Sequence, residues 1–252
     1  MLPLWDNIPS ERVPVVNYAI ILICVITFVL QIQAPEGVEQ FVREFGMIPL
    51  RITHPSESRI IVESESDWGR IQRQIVDLSS PVPPLLTLVT SMFLHGGLMH
   101  IVGNLWFLYI FGDNIEDRFG HIGYALMYLI CGVSAGVMHV AMDENSIVPT
   151  IGASGAIAGV MGAYLFLYPH AVVMTLVPFG VLTRIVPIPA AVFLGLWFLF
   201  QIFSGVQTNP GGGGVAWWAH VGGFLAGLGT TTSLHQIGAL NPPPRQRPQR
   251  FF

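Results

Sequence analysis

The sequence predicts an all-α membrane protein, a bundle of six transmembrane helices, and three observations carry that prediction. Of its 252 residues, 52% are hydrophobic and only 10% are charged, against roughly 25% charged in an ordinary soluble domain; the mean hydropathy is +0.60. Six apolar stretches, at about 15–32, 98–111, 122–142, 151–167, 188–203 and 217–234, read as spans of a hydrocarbon layer about 30 Å thick. The 11 basic residues are all arginine, and three of them, Arg245, Arg247 and Arg250, sit in the short tail "RQRPQR". The positive-inside rule then puts the C-terminus in the cytoplasm, and an even number of spans puts the N-terminus there too.

Taken in order, residues 1–14 are expected as a cytoplasmic N-terminus, 15–236 as the six-helix membrane domain and 237–252 as a disordered cytoplasmic tail rich in Pro, Arg and Gln. The first span is followed by Gln-Ala-Pro-Glu-Gly rather than by a small-residue cleavage site, so it reads as a retained helix. A first external loop over 33–84 mixes arginines with more numerous acids and is long enough for short helices of its own. In "PLLTLVTSMFLHGGLMHIVGN" the pair Gly96-Gly97 marks the start of the second helix, and the residues before it form an interfacial segment.

Several chemistries are disfavoured at once. Cys24 and Cys131 both fall inside predicted spans, where they read as small buried hydrophobes, so no disulfide is expected. There is no His-Glu-x-x-His run and no cysteine pair at ligand spacing, so no metal site and no cofactor are expected. The tail arginines suit topology and anionic lipid better than nucleic acid. The expected partners are the lipid bilayer and transmembrane proteins.

Polar residues nevertheless converge. Spans two, four and six run in one direction, so their early residues share a depth near the external face. Ser154 lies in the first turn of span four, His220 in the first turn of span six, and His95, His100 and Asn104 in the first half of span two. Ionisable groups inside a bilayer are costly, and convergence makes them functional candidates. His139, with no partner in sight, is given no role. A serine beside a histidine is the equipment of nucleophilic catalysis, in which imidazole takes the hydroxyl proton as the oxygen attacks a carbonyl. With no acid at that depth, a dyad is implied. His100 and Asn104, four apart on one helix face, can aim donors at the developing oxyanion together with the free N–H groups at the start of span four. Gly155, Gly159 and Gly162 after the serine, and Gly223 and Gly227 after the histidine, would let the two helices approach closely.

These residues carry a family resemblance. "GASGAIAG", from Gly152, resembles the Gly-x-Ser-Gly nucleophile motif of rhomboid intramembrane serine proteases; "AHVGGFLAG" resembles their last-helix His with Gly-x-x-x-Gly; "HGGLMHIVGN" resembles their second-helix His-x-x-x-x-His-x-x-x-Asn; and "GDNIEDRFG" follows a Gly-x-x-x-Glu-x-Arg-x-Gly pattern. The resemblance implies a six-helix rhomboid-like bundle in which Ser154 is nucleophile, His220 base and then acid, and His100 with Asn104 the oxyanion hole. It gives supporting places to His95, Gly152, Gly155, Gly223, Gly227, Glu116 and Arg118. It also implies a lateral gate where Phe193, Trp197 and Phe198 of span five close against span two. The Gly-rich link 205–214 is expected to form a mobile cap over the site. One departure stands out: many family members carry a tyrosine four residues after the nucleophile that stacks on the catalytic histidine, and this chain has Ala158 there.

The reaction so implied is cleavage of single-span membrane proteins in or near their transmembrane segments, by a multi-pass protein of a prokaryotic inner membrane. The alternatives are a proteolytically inactive rhomboid-like protein that binds membrane helices, which would lack the Ser or the His, and a transporter, which would show an internal repeat. This sequence has both residues and no such repeat.

Overall fold

The structure, a computed structural model, describes residues 1–65, 71–179, 182–208 and 214–243. Helix occupies each of the six expected positions. Helix α1 is Val15–Ile32, two short helices follow at α2, Val38–Phe45, and α3, Pro49–Thr53, and α4, Thr87–Thr90, lies between two 3-10 turns in the interfacial segment. Spans two and three are one helical stretch, α5, Leu98–Met142. The others are α6, Ser154–Leu167, α7, Ala190–Gln207, and α8, Trp217–Gln236.

Glycines punctuate α5 where the sequence places them. Gly97 immediately precedes it, and Gly120, with φ 67° and ψ 168°, breaks it in the left-handed region that glycine alone adopts cheaply. The arms 98–119 and 121–142 are each about 33 Å long at about 1.5 Å per residue, close to the bilayer core. They fold back on one another, since His100 of the first arm and Ala135 of the second both flank the segment 152–155. By length and apolar composition, α1, α5 and α7 qualify as membrane spans among the described residues. Helix α6 has only 14 residues and α8 is diluted by Gly, Thr and His, so six helical segments are present but three meet the criterion for crossing.

The all-α expectation needs a correction. Strands β1, Leu2–Asp6, β4, Val172–Phe179, and β5, Leu182–Pro189, form an antiparallel sheet in the order β1-β4-β5, with Leu2 opposite Leu176 and Val172 opposite Pro189. Strands β2, Arg59–Glu65, and β3, Ile71–Asp77, form a hairpin within the first loop. The stretch 172–189 is rich in β-branched residues and interrupted by prolines, which favours strand over helix. Ile188 and Pro189 therefore complete β5, and the fifth helix starts after Pro189 rather than at 188.

The bundle has two chemically different ends. Near Gly120, Glu116 accepts the first-turn N–H groups of Val16 (2.9 Å) and Asn17 (2.8 Å) and also meets His121. Asp117 accepts the N–H of Glu11 (2.7 Å) and Arg12 (3.1 Å), while Arg118 Nε donates to Asn241 O (2.7 Å). The beginning of the chain and the segment after α8 are thus tied to the last turn of the first arm of α5, where the sequence reading expected a loop, and the β1-β4-β5 sheet lies beside it through Asn114 Nδ2, which donates to Asp6 (3.3 Å). At the other end, Met47 of the first loop pairs with Thr150, just ahead of α6. Helix α6 runs through the centre, with every residue from Gly155 to Tyr164 buried.

Candidate active site

Ser154 is the first residue of α6. The turn before it depends on Gly152, whose φ of +127° suits glycine and whose N–H donates to Ser91 O (2.9 Å). A Cβ at Gly152 would also lie 2.9 Å from His100 Cε1, so backbone and neighbour make the same demand. The first intrahelical bond is made by Ile157 N to Ala153 O (3.0 Å). The amides of Ser154, Gly155 and Ala156 thus precede the hydrogen-bond ladder, at the positive end of the helix dipole.

His220, buried in the first turn of α8, places Nε2 2.8 Å from Ser154 Oγ. The approach depends on glycines of both helices: a Cβ on Gly223 would lie 1.9 Å from Gly155 O, and one on Gly227 1.9 Å from Gly159 O. The second arm of α5 is equally close, since Gly155 and Gly159 have room only for hydrogen against Ala135 and Cys131.

On its other side His220 meets a residue that the sequence reading passed over. Gln201 of α7, itself buried, holds Oε1 2.7 Å from His220 Nδ1, and its Nε2 donates to Trp197 O (3.2 Å). The signal was present, since Gln201 is the one polar side chain in "FLGLWFLFQIF" and polar groups inside membrane helices ask for a reason. The Trp197 ring packs obliquely on the imidazole, centroids 5.8 Å apart at 37°, and Trp217 meets it edge-on at 6.3 Å. Ala158 is fully buried. Gln201 and the tryptophans, not a tyrosine from α6, surround His220.

The first arm of α5 supplies the facing wall. Gly96 N donates to His100 Nδ1 (3.1 Å), so in the neutral ring the proton is on Nε2, the atom turned toward Gly152. Asn104, one turn on, donates from Nδ2 to His100 O (2.9 Å), which uses one of its two amide hydrogens. His100, Asn104, Ser154 and His220 all border one cavity of about 600 Å³. His139 borders it too, although the sequence assigned it no role.

His95 does not reach the cavity. It is fully buried, with its backbone clamped by Gln31 of α1, which accepts from His95 N (3.1 Å) and donates to His95 O (2.7 Å), and its ring stands edge-on to His100 at 5.3 Å. Glu116 and Arg118 lie at the opposite end of the bundle. Of the gate residues, Phe198 stacks on Phe224 of α8 at 4.4 Å, and Phe193 meets the rings of Phe107 and Phe111 of α5. Residues 209–213 of the expected cap and 244–252 of the expected tail lie outside the described residues; Gly214 borders the cavity. Among the described residues, no group of three or more His, Cys, Asp or Glu is placed to hold a metal ion.

A family model described as the Rhomboid domain matches residues 83–237, the segment that contains this whole arrangement. The chain belongs to the rhomboid family. Similar curated rhomboid proteins include RHOMBOID-like protein 6, mitochondrial, of Arabidopsis thaliana, 34% identical over 131 residues that cover 51% of this chain and 39% of that protein. Rhomboid protein 1, mitochondrial, of Saccharomyces cerevisiae is 26% identical over 170 residues, 64% of this chain and 45% of the relative. RHOMBOID-like protein 2 of Arabidopsis thaliana is 28% identical over 196 residues, 77% and 54%. The matches thus span about half the length of these rhomboid relatives or less. Family and apolar helices together make the chain an integral membrane protein. The relatives are plant and yeast proteins and lend no support to a prokaryotic inner membrane.

Proposed function

We propose that this rhomboid protein is an intramembrane serine endopeptidase that cuts single-span membrane proteins with Ser154 and His220. The observation that carries the reading is the 2.8 Å contact between Ser154 Oγ and His220 Nε2 at the wall of a cavity also bordered by His100 and Asn104. Ser154 Oγ attacks the scissile carbonyl carbon while its proton passes to His220 Nε2. The carbonyl oxygen, now negative, accepts from the Ser154 N–H, His100 Nε2–H and the second amide hydrogen of Asn104. Collapse breaks the C–N bond, and the His220 proton leaves with the amine. A water deprotonated by the same nitrogen then hydrolyses the acyl ester and restores the hydroxyl.

In this reading all six helical segments cross the membrane. The end of the bundle that carries Glu116 and Arg118, with the first residues of the chain and the segment that follows α8, faces the cytoplasm, and the site opens toward the external leaflet. The cavity is bordered by apolar side chains such as Met99, Phe107, Ile157 and Met161, which suit an unwound stretch of a transmembrane substrate better than a polar solute.

The test is incubation of purified, reconstituted protein with a panel of single-span membrane proteins, with Ser154→Ala and His220→Ala alongside. Cleavage by the parent alone is expected, together with covalent labelling of Ser154 by a fluorophosphonate that requires His220. Cleavage by either variant at the parent rate overturns the dyad. A parent that is not labelled and binds the helices without cutting them makes the inactive, helix-binding reading the correct one.

A further inference from the structure

We propose that Gln201 is the positioning residue of the site, fixing the tautomer and ring orientation of His220 in place of the ring that Ala158 cannot provide; the inference rests on the serine protease reading above. Its starting point is the amide of Gln201. Nitrogen and oxygen of a glutamine amide are assigned from their partners, and here the partners leave one choice. The group 3.2 Å from Trp197 O faces a carbonyl, which only accepts, so it is the NH₂. The other end, 2.7 Å from His220 Nδ1, is therefore the oxygen, which also only accepts. Nδ1 must then carry the hydrogen, and the Nε2 lone pair is left facing the Ser154 hydroxyl at 2.8 Å.

The chain Trp197 O, Gln201, His220, Ser154 thus points every hydrogen in the direction that nucleophilic attack requires. The opposite tautomer would place two acceptors 2.7 Å apart in a buried site and leave a donor facing the serine. A neutral amide does here what a carboxylate does in a triad: it holds the imidazole by its far nitrogen. It carries no charge into the bilayer, where a carboxylate is costly. Helix α7 contributes two residues one turn apart, Trp197 pressing on the ring and Gln201 bonding to its edge. The other titratable groups that border this cavity are His100 and His139, one from each arm of α5, and Asp143, directly after α5.

The experiment follows fluorophosphonate labelling of Ser154 against pH in the full-length parent, Gln201→Glu and Gln201→Leu, with thermal midpoints measured in the same detergent. Glutamate keeps the shape and the acceptor but favours imidazolium, so the acid limb of the Gln201→Glu profile is expected to move up by about one pH unit or more. Leucine removes the acceptor, and labelling is expected to slow about 10- to 100-fold, by analogy with the loss when the outer partner that orients a metal-bound histidine is deleted. Both limbs share the same His100, His139 and Asp143, so a difference between the two proteins reports on His220. An acid limb of Gln201→Glu that coincides with the parent's, or a folded Gln201→Leu protein labelled at the parent rate, overturns the assignment. Should Gln201→Leu fail to fold, the limb of Gln201→Glu decides alone. A parent unlabelled at Ser154 instead sinks the protease reading itself, which separates the two failures.

Discussion

Gly223 and Gly155 stand so close that a Cβ on Gly223 would lie 1.9 Å from the Gly155 carbonyl oxygen. Gly223 is one turn after His220 and Gly155 directly follows Ser154, so the contact sets the separation of the two reacting side chains. Gly223→Ala is predicted to force α6 and α8 apart, costing about 1–3 kcal/mol for overpacking, and to lower fluorophosphonate labelling more than tenfold by lengthening the Ser154–His220 contact. Gly195→Ala on α7, where a Cβ meets nothing within 4 Å, is the control and should leave both stability and labelling unchanged. A Gly223→Ala protein with the parent's thermal midpoint and labelling rate would contradict the helix contact.

Trp197 gives the second prediction, and its sign differs from the one a gate implies. A gate residue trimmed to alanine should speed turnover. The Trp197 ring instead packs on the His220 imidazole at 5.8 Å and on Phe224 at 6.2 Å. Trp197→Ala is predicted to slow labelling of Ser154 severalfold, because the imidazole loses the surface that limits its rotation. The small probe needs no lateral opening, so a gate role alone would leave its labelling unchanged; unslowed labelling in Trp197→Ala together with faster cleavage of a membrane substrate would return Trp197 to the gate.

What the sequence made legible was governed by direction as much as by chemistry. Ser154, His220, His100 and Asn104 could be grouped because three helices running one way place their first turns at one depth. Gln201 obeys the same rule of polarity but sits on a helix of the opposite direction, twelfth in α7, where counting from the helix start hides the shared level. The sheet escaped for another reason: a short apolar run does not separate strand from helix by periodicity, so 168–187 stood between spans four and five with no element assigned, and Ile188 and Pro189 were counted into span five. The roles of Glu116 and Asp117 at the far end were only partly visible, because their partners are backbone N–H groups about a hundred residues earlier, which no local spacing announces.

Asn104 separates binding of the transition state from assembly of the dyad. Its bond to His100 O stays within its own helix, so Asn104→Ala should leave the stability within about 1 kcal/mol of the parent's. Peptide cleavage should fall by up to about 10²- to 10³-fold, the loss measured for a single oxyanion donor. Cleavage at the parent rate by Asn104→Ala would remove it from the oxyanion hole without touching Ser154 or His220.

The last prediction concerns the far end, where Asp6 of β1 joins the strand to the bundle. Tyr164 OH donates to Asp6 Oδ2 (2.6 Å), and Asn114 Nδ2 lies between the carboxylates of Asp6 and Asp113. Burial pushes the Asp6 carboxyl up to about 6, against the opposing pull of the Tyr164 and Ile8 hydrogen bonds. A carboxyl whose folded value lies above its unfolded one binds more protons when folded, so folding loses stability as pH rises. The contribution is complete below about pH 4 and lost as pH passes through about 6. Asp6→Asn keeps an acceptor for Tyr164 and carries no proton to lose, so its thermal midpoint in detergent should vary less between pH 4 and pH 7 than the parent's. It should also exceed the parent's at pH 7. A parent whose midpoint rises across that window, or an Asp6→Asn protein with the same pH dependence, would show that the strand is not held by a protonated Asp6.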